Sequence, residues 1–518
     1  MEIVDNRAIK LIVRDGERIT RVVPKSKIIT ERHDGLYEVL VHWGMDEVRV
    51  LKNLGIKNVP SPIEGRYNWP GIYAPFKHQV ATAAFLTMNQ RAYCFSEQGT
   101  AKTGACAWAA DYLMSVGVIK KVLVICPLSI MKTAWQADLF RTAMHRSVEI
   151  AHGTKEKRKD IIAQNTEFLI INFDGVKTVE IALQRARYDL IIIDEANCIK
   201  NSQSDRWKTI NKLIGSETWV WALTGTPASQ SPTDAYGLAK MVTPHTVPKF
   251  FTAFRDSVQY KVTQFKYANK PSASDTVHKA LQPAIRFTKA ECLDLPELLY
   301  STREVPMTTQ QQKYYKQLKE KMRMEAAGEE ITAVNAGVML NKLLQCASGS
   351  IYTDTKEVVE FDCKSRMAEL NAVIEESEHK ILVFVMFRHT IEIVVRNLTE
   401  QGLTVDVIHG GVSANKRAEV IEKFQKSPEP RILVIQPQSA AHGVTLTAAN
   451  TIVWWGVTAS YETYAQANAR IHRPGQVNHC TVVHLIGSDV EQKLLTALES
   501  KCETQVDLLK MYKDVVSA

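Results

Sequence analysis

Hydrophobic and polar positions fall into three regimes along this chain. Over residues 1–70 the apolar residues come in short alternating segments, 9-IKLIVR-14, 19-ITRVV-23 and 37-YEVLVHW-43, separated by the turn pairs Asp15-Gly16 and Asp34-Gly35. A period of two marks half-buried strands, so a small β-rich N-terminal module is expected. Pro60, Pro62, Pro70 and Pro75 close it with a stretch poor in regular structure.

From about residue 76 the apolar runs become continuous: 121-KVLVIC-126, 168-FLIINF-173, 189-DLIIID-194 and 219-WVWAL-223. A second series follows: 381-ILVFVMF-387, 404-TVDVIH-409, 431-RILVIQ-436, 451-TIVWW-455 and 481-TVVHLI-486. Continuous apolarity means burial on both faces, as in a parallel sheet covered by helices. Trp454 and Trp455 are read as core residues of such a strand. The expected fold is α/β, with two doubly wound parallel-sheet lobes at 71–245 and 351–518 and a charged, helix-rich insertion at 246–350 that includes 307-MTTQQQKYYKQLKEKMRMEAAGEE-330.

Composition narrows the class. At 518 residues the chain is long enough for several cores, and 45% apolar with 23% charged residues is ordinary for a globular protein. No apolar run approaches the ~20 residues needed to cross a bilayer. The start, MEIVDNRAIK, has no apolar signal region, so secretion is not expected. Nine Cys without a C-x-x-C pair or Cys/His clustering argue against a zinc site and a disulfide framework. The net charge of +8 suits a polyanionic partner. The run 155-KEKRK-159 is read as a solvated face.

The richest chemistry lies in 91-RAYCFSEQGTAKTGACAWAADYL-113. An apolar approach enters a small-residue turn, then Lys102-Thr103, then a helix-forming run. Such an arrangement cradles phosphates: backbone N–H groups at the helix start hold them, Lys102 reaches the β/γ oxygens, and the Thr103 hydroxyl takes a Mg²⁺ position. The same residues also fit an ordinary strand–loop–helix with a surface lysine. Ser96 and Ala101 stand where the usual pattern has Gly. About 90 residues on, a buried strand ends in Asp194-Glu195, where ligands bind in parallel sheets. Asp194 is placed to hold Mg²⁺ through water, and Glu195 to polarise an attacking water; two acids capping the next helix is the plainer alternative. The segment 466-QANARIHRPGQ-476 sets Gln466, Arg470 and Arg473 at helical spacing, which puts phosphate-binding forks on one face or makes a solvated basic helix.

Together these segments resemble superfamily-two helicases, most closely the Swi/Snf-like branch of double-stranded DNA translocases, over roughly residues 74–500. The Phe76-Lys77-His78-Gln79 stretch is similar to the adenine-reading element. Gly99, Lys102 and Thr103 match the Walker A loop, and Asp194 and Glu195 the DEAH-type Walker B box. The Thr224-Gly225-Thr226-Pro227 loop matches the LTGTP motif. The stretch 438-QSAAHGVTLTAAN-450 is similar to a DNA- and nucleotide-touching loop, and 466–476 to the arginine motif. Two further stretches, 285-IRFTKAECLDLPE-297 and 407-VIHGGVSANKRAEVIEKFQ-425, resemble the lobe junction and a second-lobe element of that branch. Asn197 replaces the His of the box, Ala440-Ala441 a Gly pair, and Thr445 an Asn.

The resemblance implies two RecA-like lobes and an ATP hydrolase using ATP and Mg²⁺. Lys102, Glu195, Gln466, Arg470 and Arg473 would be catalytic. Gln79, Gly99, Thr100, Ala101, Lys102, Thr103 and Gly443 would bind nucleotide, and Thr103 and Asp194 the metal. It implies translocation on duplex or branched DNA through sequence-independent phosphate contacts, by a monomer. Expected locations are the cytoplasm of a bacterial or virus-infected cell, or the nucleus if the source is eukaryotic. Two alternatives stay open: a helicase acting on RNA or single strands, and a nucleotide-gated DNA clamp with little turnover.

Overall fold

The computed structural model describes residues 1–225, 227–228, 231–263, 267–292, 295–328, 333–352, 357–440 and 444–500, with 321–328, 333–337, 414 and 440 described by backbone alone. The chain divides into two units, Met1–Ala228 with Pro232–Cys292, and Leu293–Ala518 with Ser229–Ser231.

The first unit opens with a four-stranded antiparallel sheet, ordered Glu2–Val4, Ala8–Val13, Tyr37–His42, Ser26–Glu31. Its inner positions Ile9, Leu11, Val39 and Val41 pack against Ile19, Val23, Val48 and Leu51 from the helix side. One of those helices corrects the sequence expectation. Residues read as the strand-like 19-ITRVV-23 belong to the helix Gly16–Val22. Asp15 caps it, its carboxylate accepting from Arg18 N at 2.8 Å, and Ile19 and Val23 bury one face at i, i+4 spacing. A helical turn this short hides inside an apparent alternation.

The larger sheet of this unit has seven parallel strands, ordered Ala284–Ile285, Arg91–Cys94, Trp219–Leu223, Leu190–Asp194, Val122–Cys126, Phe168–Asn172, Val148–Ala151. Leu190–Asp194 explains the continuous apolar runs. Ile191 and Ile193 enter the core on one face and Leu190 and Ile192 the core on the other, so no position is left for a polar residue until the strand tip. In the helix Lys155–Ala163 the basic run is solvated except at Arg158, which is buried. Its guanidinium donates to the Ala151 and Gly153 carbonyls and to Asn172 Oδ1.

The second unit carries six parallel strands, ordered Leu298–Glu304, Cys480–Ile486, Ala449–Trp454, Lys380–Phe384, Ile432–Ile435, Val405–Ile408. Trp454 and Trp455 are both fully buried core residues. The 246–350 stretch supplies helices, among them Phe251–Val258, Ala273–Ala280, Thr309–Gly328 and Ala333–Ser348, and also one strand to each large sheet, Ala284–Ile285 and Leu298–Glu304. No helix among the described residues is long and apolar enough to cross a membrane.

His484 lies inside the second sheet, 2% exposed, with its Nε2 3.0 Å from the Tyr464 hydroxyl. Burial pushes its imidazole down to about 4 from an ordinary 6.5, against an opposing hydrogen bond with the Ser301 backbone. The unfolded chain therefore takes up this proton first. Stability is untouched above pH 6.5 and is lost as the pH falls toward 4. With His484→Gln, the stability lost between about pH 7 and pH 4.5 is expected to be smaller by about 2 kcal/mol, followed by urea unfolding at both pH values. Superimposable acid limbs for the two proteins would count against it.

Candidate nucleotide site

The strand Arg91–Cys94 runs into a loop that ends in the helix Lys102–Ser115. That helix is held rigidly because Gly104–Met114 are all buried. Gly104 is closely covered: a Cβ there would lie 3.0 Å from the Tyr73 hydroxyl and 3.1 Å from Gln79 Nε2, and both side-chain ends would have to shift slightly. Two left-handed residues shape the loop, Gly99 at φ 85° and Ala101 at φ 55°. The first is free for Gly. The second costs an L-residue about 1 kcal/mol or more, because Cβ crowds the following carbonyl. Ala101→Gly removes that strain but frees the unfolded chain. A net gain of roughly 0.5–1 kcal/mol is expected from thermal unfolding, with turnover maintained; a loss of stability would mean that the left-handed turn is misplaced.

Lys102 reaches back over the loop, its Nζ donating to the carbonyls of Ser96 (2.7 Å) and Glu97 (3.0 Å). Thr100, 1% exposed, donates its hydroxyl to the Glu97 carbonyl, and its own carbonyl accepts from His78 Nε2 at 2.9 Å. Gln79 is fully buried. Its Nε2 donates to the Ala101 carbonyl and its Oε1 accepts from Phe76 N, each at 3.0 Å. Gln79, expected at the nucleotide, thus ties the start of its own helix to the loop. Thr103 is half-buried in the first helical turn.

Asp194 lies at the tip of Leu190–Asp194, 9% exposed. Both carboxylate oxygens are oriented: Oδ2 accepts from Trp135 Nε1 at 2.8 Å and Oδ1 from Glu195 N at 2.9 Å. Burial raises its carboxyl above the usual range, and the nearby Lys102 cation opposes that rise. Glu195 follows at φ 52°, ψ 53°, a left-handed conformation that a glutamate adopts only under constraint. The next strand completes the surround. Thr224 N donates to the Cys94 carbonyl, and a Cβ on Gly225 would meet Gln98 Cγ at 3.6 Å. Lys102, Asp194, Glu195 and the Thr224-Gly225 turn are thus gathered around one loop, whereas Thr226 lies outside the described residues.

Trp135 was not singled out in the sequence. It sits on a π-helical turn, Met131–Gln136, and is fully buried. Wide turns of this kind recur at functional sites, and here one delivers an indole N–H to a carboxylate 59 residues away. Its signal in the chain is slight, one aromatic residue in the mixed stretch 131-MKTAWQ-136. The donor set suits Mg²⁺: a hydroxyl at Thr103 and an oriented, buried carboxylate at Asp194 are hard oxygen ligands.

The arginine cluster belongs to the second unit and differs from its expected form. The helix Tyr461–Asn468 stops before both arginines. Successive turns, closed by Arg470 N to the Ala467 carbonyl and Gln476 N to the Arg473 carbonyl, carry the chain on around the fully buried Ile471. The forks still converge. Arg470 NH1 and Arg473 NH1 donate to the Val444 carbonyl at 3.2 and 3.0 Å, and Arg473 NH1 also donates to Thr445 Oγ1 at 3.0 Å. Arg470 is 3% exposed and Gln466 likewise, its Nε2 donating to Glu462 Oε1. His472 donates to the Pro296 carbonyl at 2.9 Å. Gly443 lies outside the described residues.

Two parallel-sheet α/β units, the first with a phosphate-type loop and acids at the tip of the strand next but one to it, define a pair of RecA-like lobes. The SNF2-related domain profile matches residues 25–405, and the helicase conserved C-terminal domain profile matches residues 365–475. The chain belongs to the SNF2-related family. It is 26% identical over 483 residues to the mouse (Mus musculus) chromodomain-helicase-DNA-binding protein 1-like, covering 86% of this chain and 52% of that protein. It is 24% identical over 496 residues to an uncharacterized ATP-dependent helicase of Mycoplasma pneumoniae, covering 94% and 44%. The chain thus spans about half the length of the curated relatives it matches. The Sulfolobus solfataricus SWI2/SNF2 ATPase core in complex with dsDNA is similar with a TM-score of 0.42 and 21% identity, over 87% of this chain and 94% of that one.

Proposed function

We propose that this chain is an ATP-driven DNA translocase, coupling ATP hydrolysis to movement on duplex or branched DNA. The observation that carries the reading is the Lys102 cation, held on the phosphate-type loop, close to the buried Asp194 carboxylate, with Glu195 next to it in the chain. Lys102 exchanges its two loop carbonyls for the β- and γ-phosphate oxygens. Trp135 and the Glu195 amide hold the Asp194 carboxylate in one orientation, and Glu195 accepts the proton of the attacking water. Thr103 and Asp194 would hold Mg²⁺, which would supply positive charge at the phosphates. Arg473 acts in the nucleotide-bound state as an arginine finger delivered by the second unit, and Arg470 holds the Val444 loop beside it.

Family membership, a mouse relative whose name includes DNA binding, and a net charge of +8 support DNA as the track. Contacts fall mainly on phosphates, so binding is insensitive to sequence and weakens steeply with salt. Fork or branch remodelling is the proposed output, by a monomer working in the cytoplasm, or in the nucleus of a eukaryotic cell. The test is ATP turnover with duplex, forked and single-stranded DNA and with RNA. Stimulation by duplex or forked DNA is the expected result. Stimulation by single strands or RNA alone would reassign the track, and turnover that no nucleic acid changes would remove the translocase reading.

A further inference from the structure

The segment that leads out of the first unit lies along the phosphate loop. Strand Ala284–Ile285 pairs in parallel with Arg91–Cys94, and the ladder continues past both strands. Tyr93 N donates to the Pro283 carbonyl at 3.0 Å, Phe95 N to Ile285 at 2.8 Å and Glu97 N to Phe287 at 2.9 Å. Two side chains of the loop answer in the other direction. Ser96 Oγ accepts from Phe287 N at 3.1 Å, and Glu97 Oε2 accepts from Lys289 N at 3.0 Å. The Phe287 ring lies 6.0 Å from that of His78, the residue that donates to the Thr100 carbonyl.

Glu97 does more here than fill a loop position. The short helix Lys289–Cys292 begins with a capping box: Thr288 N donates to Glu291 Oε2, and Glu291 N to Thr288 Oγ1. One orphan donor of that turn, Lys289 N, is satisfied from outside by Glu97. The first unit ends at Cys292, where this turn ends. Ser96 and Glu97 are also the residues whose carbonyls hold Lys102 Nζ. A lysine drawn to phosphate must leave those carbonyls, which frees the two peptide groups whose side chains hold the exit segment.

We infer that Ser96 and Glu97 are positioning residues that link the state of the phosphate loop to segment 287–292, so that nucleotide binding loosens or re-seats the chain where it leaves the first unit. This rests on the ATP-site reading above. It adds a role for the two loop residues that stand apart from Lys102 and Thr103, and it makes the exit segment part of the nucleotide response.

Backbone donors allow a clean test in the full chain. Lys289→Pro deletes the N–H that Glu97 accepts, at a helix position where proline is tolerated, while Lys289→Ala keeps the N–H and removes only the side chain. Lys289→Pro is expected to keep its DNA-free ATP turnover and to lose DNA stimulation by roughly fivefold or more, the lower end of ordinary coupling energies, with Lys289→Ala like wild type. Glu97→Gln, which keeps an acceptor, should retain more stimulation than Glu97→Ala; this pair decides the matter if the proline variant fails to fold. Independently of turnover, amide exchange over 286–292 is expected to change about tenfold in wild type when a non-hydrolysable ATP analogue and Mg²⁺ are added, and to be nucleotide-insensitive in Lys289→Pro. DNA-stimulated turnover in wild type together with unchanged exchange, or with full stimulation in Lys289→Pro, overturns this inference and leaves the ATPase reading intact. A wild-type chain that binds no nucleotide removes both.

Discussion

Lys102→Ala is expected to reduce ATP turnover by about 10³-fold while DNA binding survives, the upper range for losing one preorganised charge donor at a reacting phosphate. The ammonium sits on the Ser96 and Glu97 carbonyls and is the cation that opposes the rise of the Asp194 carboxyl. Its removal has two consequences with different readouts. The developing charge on the phosphates loses its donor, which appears in the chemical step. Asp194 also loses the cation that opposes its rise, so its carboxyl rises further. Turnover should therefore fall off at a higher pH on the acid side than in wild type. Lys102→Arg keeps the charge but brings a wider, planar fork into a loop shaped for a point charge, and a large loss is expected there too. The measurement is turnover at saturating ATP, Mg²⁺ and DNA across a pH series, beside DNA titrations. Turnover retained in Lys102→Ala would show that the loop is not the phosphate cradle.

What was legible in the chain follows from how local its causes are. The two doubly wound units were readable because a strand buried on both faces excludes polar residues along its whole length, as Leu190–Asp194 does until its last residue. The phosphate loop was readable because a strand, a small-residue turn and a helix start are contiguous. Contacts made across long separations were not. Trp135 meets Asp194 across 59 residues, and Glu97 meets Lys289 across 192. Neither residue carries a period or a spacing that points to its partner. Gln79 lies beside the loop, but its bonds to Phe76 N and the Ala101 carbonyl were not readable, since spacing fixes where a side chain begins but not which partners it finds. The 19–23 stretch misled because three apolar residues in five satisfy both a period of two and a period of 3.6, and the Asp15 cap decided the matter.

The arginine pair shows the same limit and gives the second large effect. Helical spacing predicted one shared face; the helix ends at Asn468, and the convergence arises from turns that bring both forks onto the Val444 carbonyl. The two arginines differ in burial, and that separates their roles. Arg470 is 3% exposed and anchors the Val444–Leu446 backbone, whose Leu446 N in turn donates to the Arg470 carbonyl. Arg473 is half-buried and also donates to the Thr445 hydroxyl. Arg473→Ala is therefore expected to lower kcat by on the order of 10³ or more with little change in unfolding, as for a residue that acts on the transferring phosphoryl group. Arg470→Ala is expected to lower turnover together with the thermal stability of the second unit, because a buried carbonyl and a packed guanidinium stem lose their partner. Arg473→Lys should restore little, since a compact ammonium lacks the planar pair of N–H groups that meets two phosphoryl oxygens at once. Single-turnover rates beside melting curves for the three variants separate these roles. If Arg473→Ala hydrolyses ATP at the wild-type rate, no finger is supplied by this segment, and the second unit contributes to turnover by some other residue or not at all.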